Sequence, residues 1–130
     1  MSAKDFVFSW GMVFAYVLLN AYGALVIKYK INQLGAVSFE SMEQSLQYFL
    51  RLFTSPLILT GLLAIFVSAI AWMAALSRLD LSSAYPVAVG LNFVLVISVA
   101  FLSFREPVSA LKLVAISLIL FGVFLLYRDW

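Results

Sequence analysis

The chain has 130 residues, of which 65% are hydrophobic and 11% charged, and its net charge is +2. A soluble domain keeps about a quarter of its residues charged, and so short a chain has no interior large enough to hide this apolar surplus, so lipid must be its solvent. With no Cys and no His, the sequence excludes disulfides, thiol nucleophiles, histidine bases and most transition-metal sites, and its few, scattered cations exclude a nucleic-acid partner.

A membrane-spanning helix needs about 20 mainly apolar residues. The first such run extends from about Phe6 to Ile27 and meets the basic-aromatic interface anchor Lys28-Tyr29-Lys30. It is too long for the core of a signal peptide and further apolar runs follow it, so it reads as a permanent span. A long connection follows, from Lys28 to Ser55. Within it, Ser41-Met42-Glu43-Gln44 has the form of a helix-capping box, and Met42, Leu46, Phe49, Leu50 and Phe53 fall on one helical face. This pattern predicts a short interfacial helix over about 41–53, leading through Pro56 into the second span. The simpler alternative is a second span that begins early, near Tyr48, and tilts.

The second span covers about 56–77, the third about 83–104 and the fourth about 110–127, ending at Arg128-Asp129-Trp130. No Asp, Glu, Lys or Arg lies in the core of any of them. The connections at 80–82 and 105–109 are tight, so spans two, three and four are expected to be antiparallel neighbours. The expected fold is all-α, a single polytopic domain of four transmembrane helices with both termini on one side. Lys4, Arg78 and Arg128 fall on one side of the membrane, and Lys28, Lys30, Arg51, Arg105 and Lys112 on the other. The positive-inside rule then places the first and third loops in the cytoplasm. The margin is small, and insertion in both orientations stays open.

The polar residues inside the spans are the informative ones, because each needs a partner or a wet cavity. Tyr16, Asn20 and Gly23 share one stripe of span one, and Tyr85, Val89, Asn92 and Val96 one stripe of span three. Gly61, Ala64, Ser68 and Trp72 form a stripe on span two. Facing one another, these stripes make a polar, uncharged groove with Tyr16, Asn20, Trp72, Tyr85 and Asn92 along the substrate path. The plainer role of the two asparagines is hydrogen-bonding glue between helices. Lys28, Lys30, Arg51, Arg105 and Lys112 are candidates for a phosphate headgroup, and snorkelling anchors otherwise. Glu106, in the Arg105-Glu106-Pro107 turn, either caps span four or pairs with Arg105. No nucleophile–base pair, metal cluster or phosphate-cradling glycine loop is present, so neither enzymatic chemistry nor a cofactor is expected.

Three stretches resemble the drug/metabolite transporter superfamily in its four-helix, small multidrug resistance branch. They are Gly23-Ala24-Leu25-Val26-Ile27-Lys28; Leu81-Ser82-Ser83-Ala84-Tyr85-Pro86; and Arg105-Glu106-Pro107-Val108, followed by the run from Ala115 through Gly122 to Val123. The resemblance implies a dimer, of this chain or with a paralogue, whose close-packing seam uses Ala115 and Gly122. The multidrug exporters of that branch couple protons through a Glu in span one. In the register set by Gly23 and Lys28, Asn20 occupies that place, and an amide cannot titrate. The runs Ala84-Tyr85-Pro86, Leu91-Asn92-Phe93-Val94 and Glu106-Pro107-Val108-Ser109 are instead similar to the paired four-helix proteins proposed to flip aminoarabinose-phosphoundecaprenol. The implied function is a flippase for a lipid-linked sugar in a bacterial inner membrane. The alternatives are a small-metabolite or drug exporter, coupled through Glu106 or through no carboxylate at all, and a non-transporting partner subunit of a membrane glycosyltransferase.

Overall fold

The first helix starts where Ser2 caps it, its hydroxyl accepting the Asp5 N–H at 3.2 Å. The computed structural model describes residues 2–128, which form five helices and no strand; Asp129 and Trp130, part of the expected terminal anchor, lie outside the described residues. Helix α1 covers Ala3–Leu34, α2 Met42–Phe53, α3 Pro56–Leu76, α4 Leu81–Ser103 and α5 Ala110–Arg128. All but α2 are long and apolar enough to cross a membrane.

Helix α1 continues past Lys28-Tyr29-Lys30 to Leu34. Lysine and tyrosine anchor a helix at an interface but do not break it. The first residue that does is Gly35, whose φ of +84° turns the chain while its N–H still bonds Ile31 O at 2.8 Å. At 1.5 Å per residue α1 is about 48 Å long, well beyond a hydrocarbon core of about 30 Å, so its last turns stand outside the apolar layer. Helix α2 is capped by Ser41, whose hydroxyl accepts the Gln44 N–H at 3.2 Å. It is held to the bundle by Leu52, buried with Val26 and Ile58, and by Tyr48, whose hydroxyl donates to Gly35 O at 2.8 Å. Its face of Met42, Leu46, Phe49, Leu50 and Phe53 stays exposed, as an interfacial helix lying on lipid requires.

The core is built chiefly between α1 and α3, with α4 packed on α1. Trp10, Val13 and Val17 of α1 meet Ala75 of α3, Leu79 of the connection, and Ala84, Val87 and Ala88 of α4. The closest crossing is glycine on glycine. A Cβ on Gly23 would stand 2.7 Å from the Gly61 carbonyl oxygen and 2.4 Å from Ile65 Cγ1. Small residues let membrane helices approach this closely, where dispersion and backbone contacts replace a hydrophobic drive that lipid does not supply.

Helix α5 is different. None of its described residues is buried; it packs on α4 with Val123 and Ile119 over Gly90, and Tyr127 meets Trp10 (ring centroids 5.7 Å apart).

Two ion pairs mark the ends of the bundle. Asp5 pairs with Arg78, which also lies over the Phe8 ring at 5.1 Å, tying the start of α1 to the α3–α4 connection. Lys28 pairs with Glu106 at 3.7 Å, tying the far part of α1 to the α4–α5 turn. Helices α1 and α4 therefore run parallel to each other and antiparallel to α3 and α5.

Candidate functional site

The five residues expected along a substrate path lie on α1, α3 and α4. Tyr16 and Trp72 have ring centroids 4.9 Å apart, and Trp72 meets Tyr85 edge-on at 6.1 Å. The three helices thus contribute one ring each to a continuous aromatic row. Asn20 lies one helical turn beyond Tyr16, about 6 Å along the axis, and Asn92 two turns beyond Tyr85, about 10 Å. Because α1 and α4 are parallel, both amides are displaced from the row in the same direction, toward the Lys28–Glu106 end. Asn20 is half-buried. The Asn92 Oδ1 is buried and accepts no hydrogen bond among the described residues. An unmade hydrogen bond on a buried amide costs about 1–3 kcal/mol.

The small-residue stripe of α3 does not join this path. Gly61, Ala64 and Ser68 are buried in the α1–α3 contact, and the Ser68 hydroxyl donates to Ile65 O of its own helix at 2.6 Å. Only Trp72 of that stripe takes part in the aromatic row. Gly23 likewise serves the helix crossing. The reason is steric: a position that admits another backbone at van der Waals distance leaves no room for a ligand.

The expected headgroup cations divide into separate places. Lys28 and Lys112 converge on the α4–α5 turn, where Lys28 pairs with Glu106, and Lys112 donates to Pro107 O at 3.4 Å. Glu106 neither pairs with Arg105 nor caps α5; Ser109 does the capping, its hydroxyl accepting the Lys112 N–H at 3.2 Å. Glu106 and Lys112 also line one end of an apolar groove of about 230 Å³ between α4 and α5, with Phe93, Ala115 and Ile119 along its walls. A second groove continues from Phe93 and Ile119 to Gly122 and Tyr85. Lys30, two residues from Lys28 on a helix, points to another face. Arg51 lies on α2, away from the turn, in a polar cup with Ser38 and Gln47.

Arg105 is exposed and has a φ of +54°, the one non-glycine residue with positive φ among those described. Its left-handed backbone turns the Glu106 N–H back onto Ala100 O at 3.2 Å, ending α4. Such a conformation costs a residue with a Cβ about 1–3 kcal/mol. Arg105→Gly is therefore expected to raise the unfolding free energy in detergent by about 1 kcal/mol, whereas Arg105→Val lowers it; melts followed by circular dichroism check the pair.

Ala115 and Gly122, the expected seam residues, both open onto the α4–α5 grooves, and a Cβ on Gly122 would meet nothing within 4 Å. The ion pairs escaped the sequence reading. Their partners are 73 and 78 positions apart along the chain, and the only available signal was that each pair joins residues assigned to one side of the membrane.

No family model matches the chain, and no solved structure matches it. Curated relatives do. A protein of Pseudomonas savastanoi pv. phaseolicola is 31% identical over 121 residues, covering 93% of this chain and 98% of the relative. One of Pseudomonas paraeruginosa is 32% identical over the same shares of both chains. One of Pseudomonas syringae pv. syringae is 45% identical over 58 residues, 45% of this chain and 53% of the relative. Each carries the name "Probable 4-amino-4-deoxy-L-arabinose-phosphoundecaprenol flippase subunit ArnE". With full-length similarity to such relatives and four helices fit to span a membrane, the chain belongs to the ArnE family of flippase subunits.

Proposed function

We propose that this chain is one subunit of a flippase that carries a lipid-linked sugar, of the undecaprenyl-phosphate type, across a bacterial inner membrane. Family membership sets the class, and the observation that carries the reading to this chain's own residues is the unpaired Asn92 Oδ1. In hydrocarbon a buried acceptor needs a donor, and a sugar hydroxyl or amine is one. The aromatic row of Tyr16, Trp72 and Tyr85 offers faces for the apolar side of a sugar ring, and Asn20 a second amide.

Lys28, Lys112 and Arg105 supply positive charge for the phosphate at one end of this path. The Lys28–Glu106 pair is about half exposed, and such pairs contribute little, about 0–1 kcal/mol. A substrate phosphate can therefore displace Glu106 from Lys28 at small cost. A proton-coupled drug exporter gains no support from Glu106, which lies in a turn at the end of the bundle and outside the apolar spans. The direct test is reconstitution with the partner subunit in vesicles carrying labelled undecaprenyl-phosphate sugar. Movement of the label between leaflets is expected, and its absence above protein-free vesicles rejects the reading.

The same proposal needs a second chain, because four helices enclose too little volume for a path that opens alternately to the two sides. The unburied α5, with Ala115 and Gly122 on its open face, is the surface we assign to that contact. Gly122 has room for a side chain within the monomer. Gly122→Leu is thus expected to leave the bundle folded and to cut the dimer fraction several-fold; an unchanged cross-linked fraction in membranes would show that the seam lies elsewhere.

A further inference from the structure

The apolar face of α2, exposed on Met42, Leu46 and Phe53, lies opposite a polar face of Gln44, Gln47 and Arg51 at 100° per residue. With the apolar face on lipid, the polar face looks into water at the level of the headgroups. There it forms one wall of a cup of about 210 Å³ whose other wall is the chain after α1. Ser38, Gln44, Gln47, Tyr48 and Arg51 line it, over a small apolar floor of Leu34 and Ala36.

The walls are fixed before any ligand arrives. The Tyr48 hydroxyl donates to Gly35 O at 2.8 Å, and the Ser45 hydroxyl to Ser38 O at 2.9 Å. Gly35 supplies the left-handed turn that folds this stretch back over α2. The groups left to meet a ligand are the amide of Gln47, the shared amide–hydroxyl pair of Gln44 and Ser38 (3.4 Å), and the Arg51 guanidinium. Two primary amides offer both donors and acceptors, as a ring of hydroxyls requires. The single cation is an arginine, whose planar fork suits a phosphate. The carboxylates nearest in the chain, Glu40 and Glu43, do not line the cup. Its volume of about 210 Å³ is below the about 300–1,000 Å³ of drug-sized sites and is on the scale of one sugar phosphate.

We propose that this cup is a reception site for a sugar phosphate on the water side of α2. The inference rests on the flippase reading for its place in the cycle. Leu34, at the cup, is six residues beyond Lys28 on α1, about 9 Å along the helix. The sugar phosphate of a lipid would therefore be met first at the cup, then at Lys28 and Lys112, and then at the amides.

The test uses the full chain in lipid nanodiscs, titrated with glucose 1-phosphate, glucose and inorganic phosphate. Saturable binding of glucose 1-phosphate, tighter than that of either half alone, is expected. Arg51→Gln should weaken it about tenfold or more, as loss of a charge-assisted contact does, and Gln47→Leu should weaken it without changing the phosphate response. Asn92→Ala should leave this binding intact. In vesicles that also carry the partner subunit, with labelled polyprenyl-phosphate glucose, both cup variants should slow translocation at low lipid and recover at saturation. Competition by free glucose 1-phosphate identifies the lipid headgroup as the ligand; binding without competition identifies a soluble sugar phosphate. Parental binding without any lipid movement removes the flippase reading and leaves the cup standing. Absent parental binding, or equal binding by parent, Arg51→Gln and Gln47→Leu, overturns the proposal.

Discussion

Gly23→Ala should produce the largest loss of stability among the glycine-to-alanine changes in the spans of this protein. The new Cβ would stand 2.7 Å from the Gly61 backbone oxygen and 2.4 Å from Ile65 Cγ1. A side chain can rotate away, but a carbonyl inside a helix cannot move without breaking that helix. Helices α1 and α3 must then separate along the main contact of the bundle, and overpacking of this kind costs about 1–3 kcal/mol, at the upper end where backbone is involved. Gly90→Ala meets side chains and no backbone, Val123 Cγ2 at 2.4 Å and Ile119 Cγ2 at 3.4 Å, both on the outer helix α5, which can shift outward, and should cost less. Gly11→Ala meets nothing within 4 Å and should be neutral or slightly stabilising, since alanine is the better helix former. The order Gly23 well below Gly90, and Gly90 below Gly11, in melting temperature in detergent checks the argument. Equal melting temperatures would mean that the glycine crossing is not the tight point.

Asn92→Ala should abolish most lipid movement while leaving the bundle intact. Its Oδ1 has no partner to lose, so removing it relieves an unmade hydrogen bond and should not lower stability. Hydrogen bonds between membrane helices are in any case worth only about 0.6–2 kcal/mol. The variant is therefore expected to express, melt and dimerise like the parent, and to move labelled lipid at least tenfold more slowly. Asn20→Ala should act in the same direction. Asn20→Asp should not restore movement, because a buried carboxylate either stays protonated or repels the phosphate. If both alanine variants translocate at the parental rate, the amides are glue between helices. Should Asn20→Asp instead bring pH-dependent export of cationic dyes, the path is that of a drug exporter.

The class of the protein was legible in composition and run length alone. Four uncharged apolar runs, two tight connections and the capping pattern at Ser41 led to an all-α membrane fold with an extra helix in the first loop, and local chemistry suffices for each. Gln44 is in fact capped by Ser41, as the pattern required. The resemblance read from the Tyr85, Asn92 and Glu106 stretches was equally local, and the relatives bear out the family it pointed to.

What the sequence could not settle is which face of each helix looks inward. In water, hydrophobic periodicity separates core from surface. In lipid both are apolar, and a helix such as α3 is oily all round. Only the tertiary structure, where backbones must actually touch, assigned Gly61, Ala64 and Ser68 to a helix contact and not to a groove, and left α5 unburied. Partners distant in the chain were beyond reach for the same reason. Nothing near Glu106 indicates that Lys28, at the far end of another helix, is the cation it meets. The ladder of aromatic row, amides and basic end therefore had its members readable in the sequence, while their order along the bundle came from α1 and α4 running parallel.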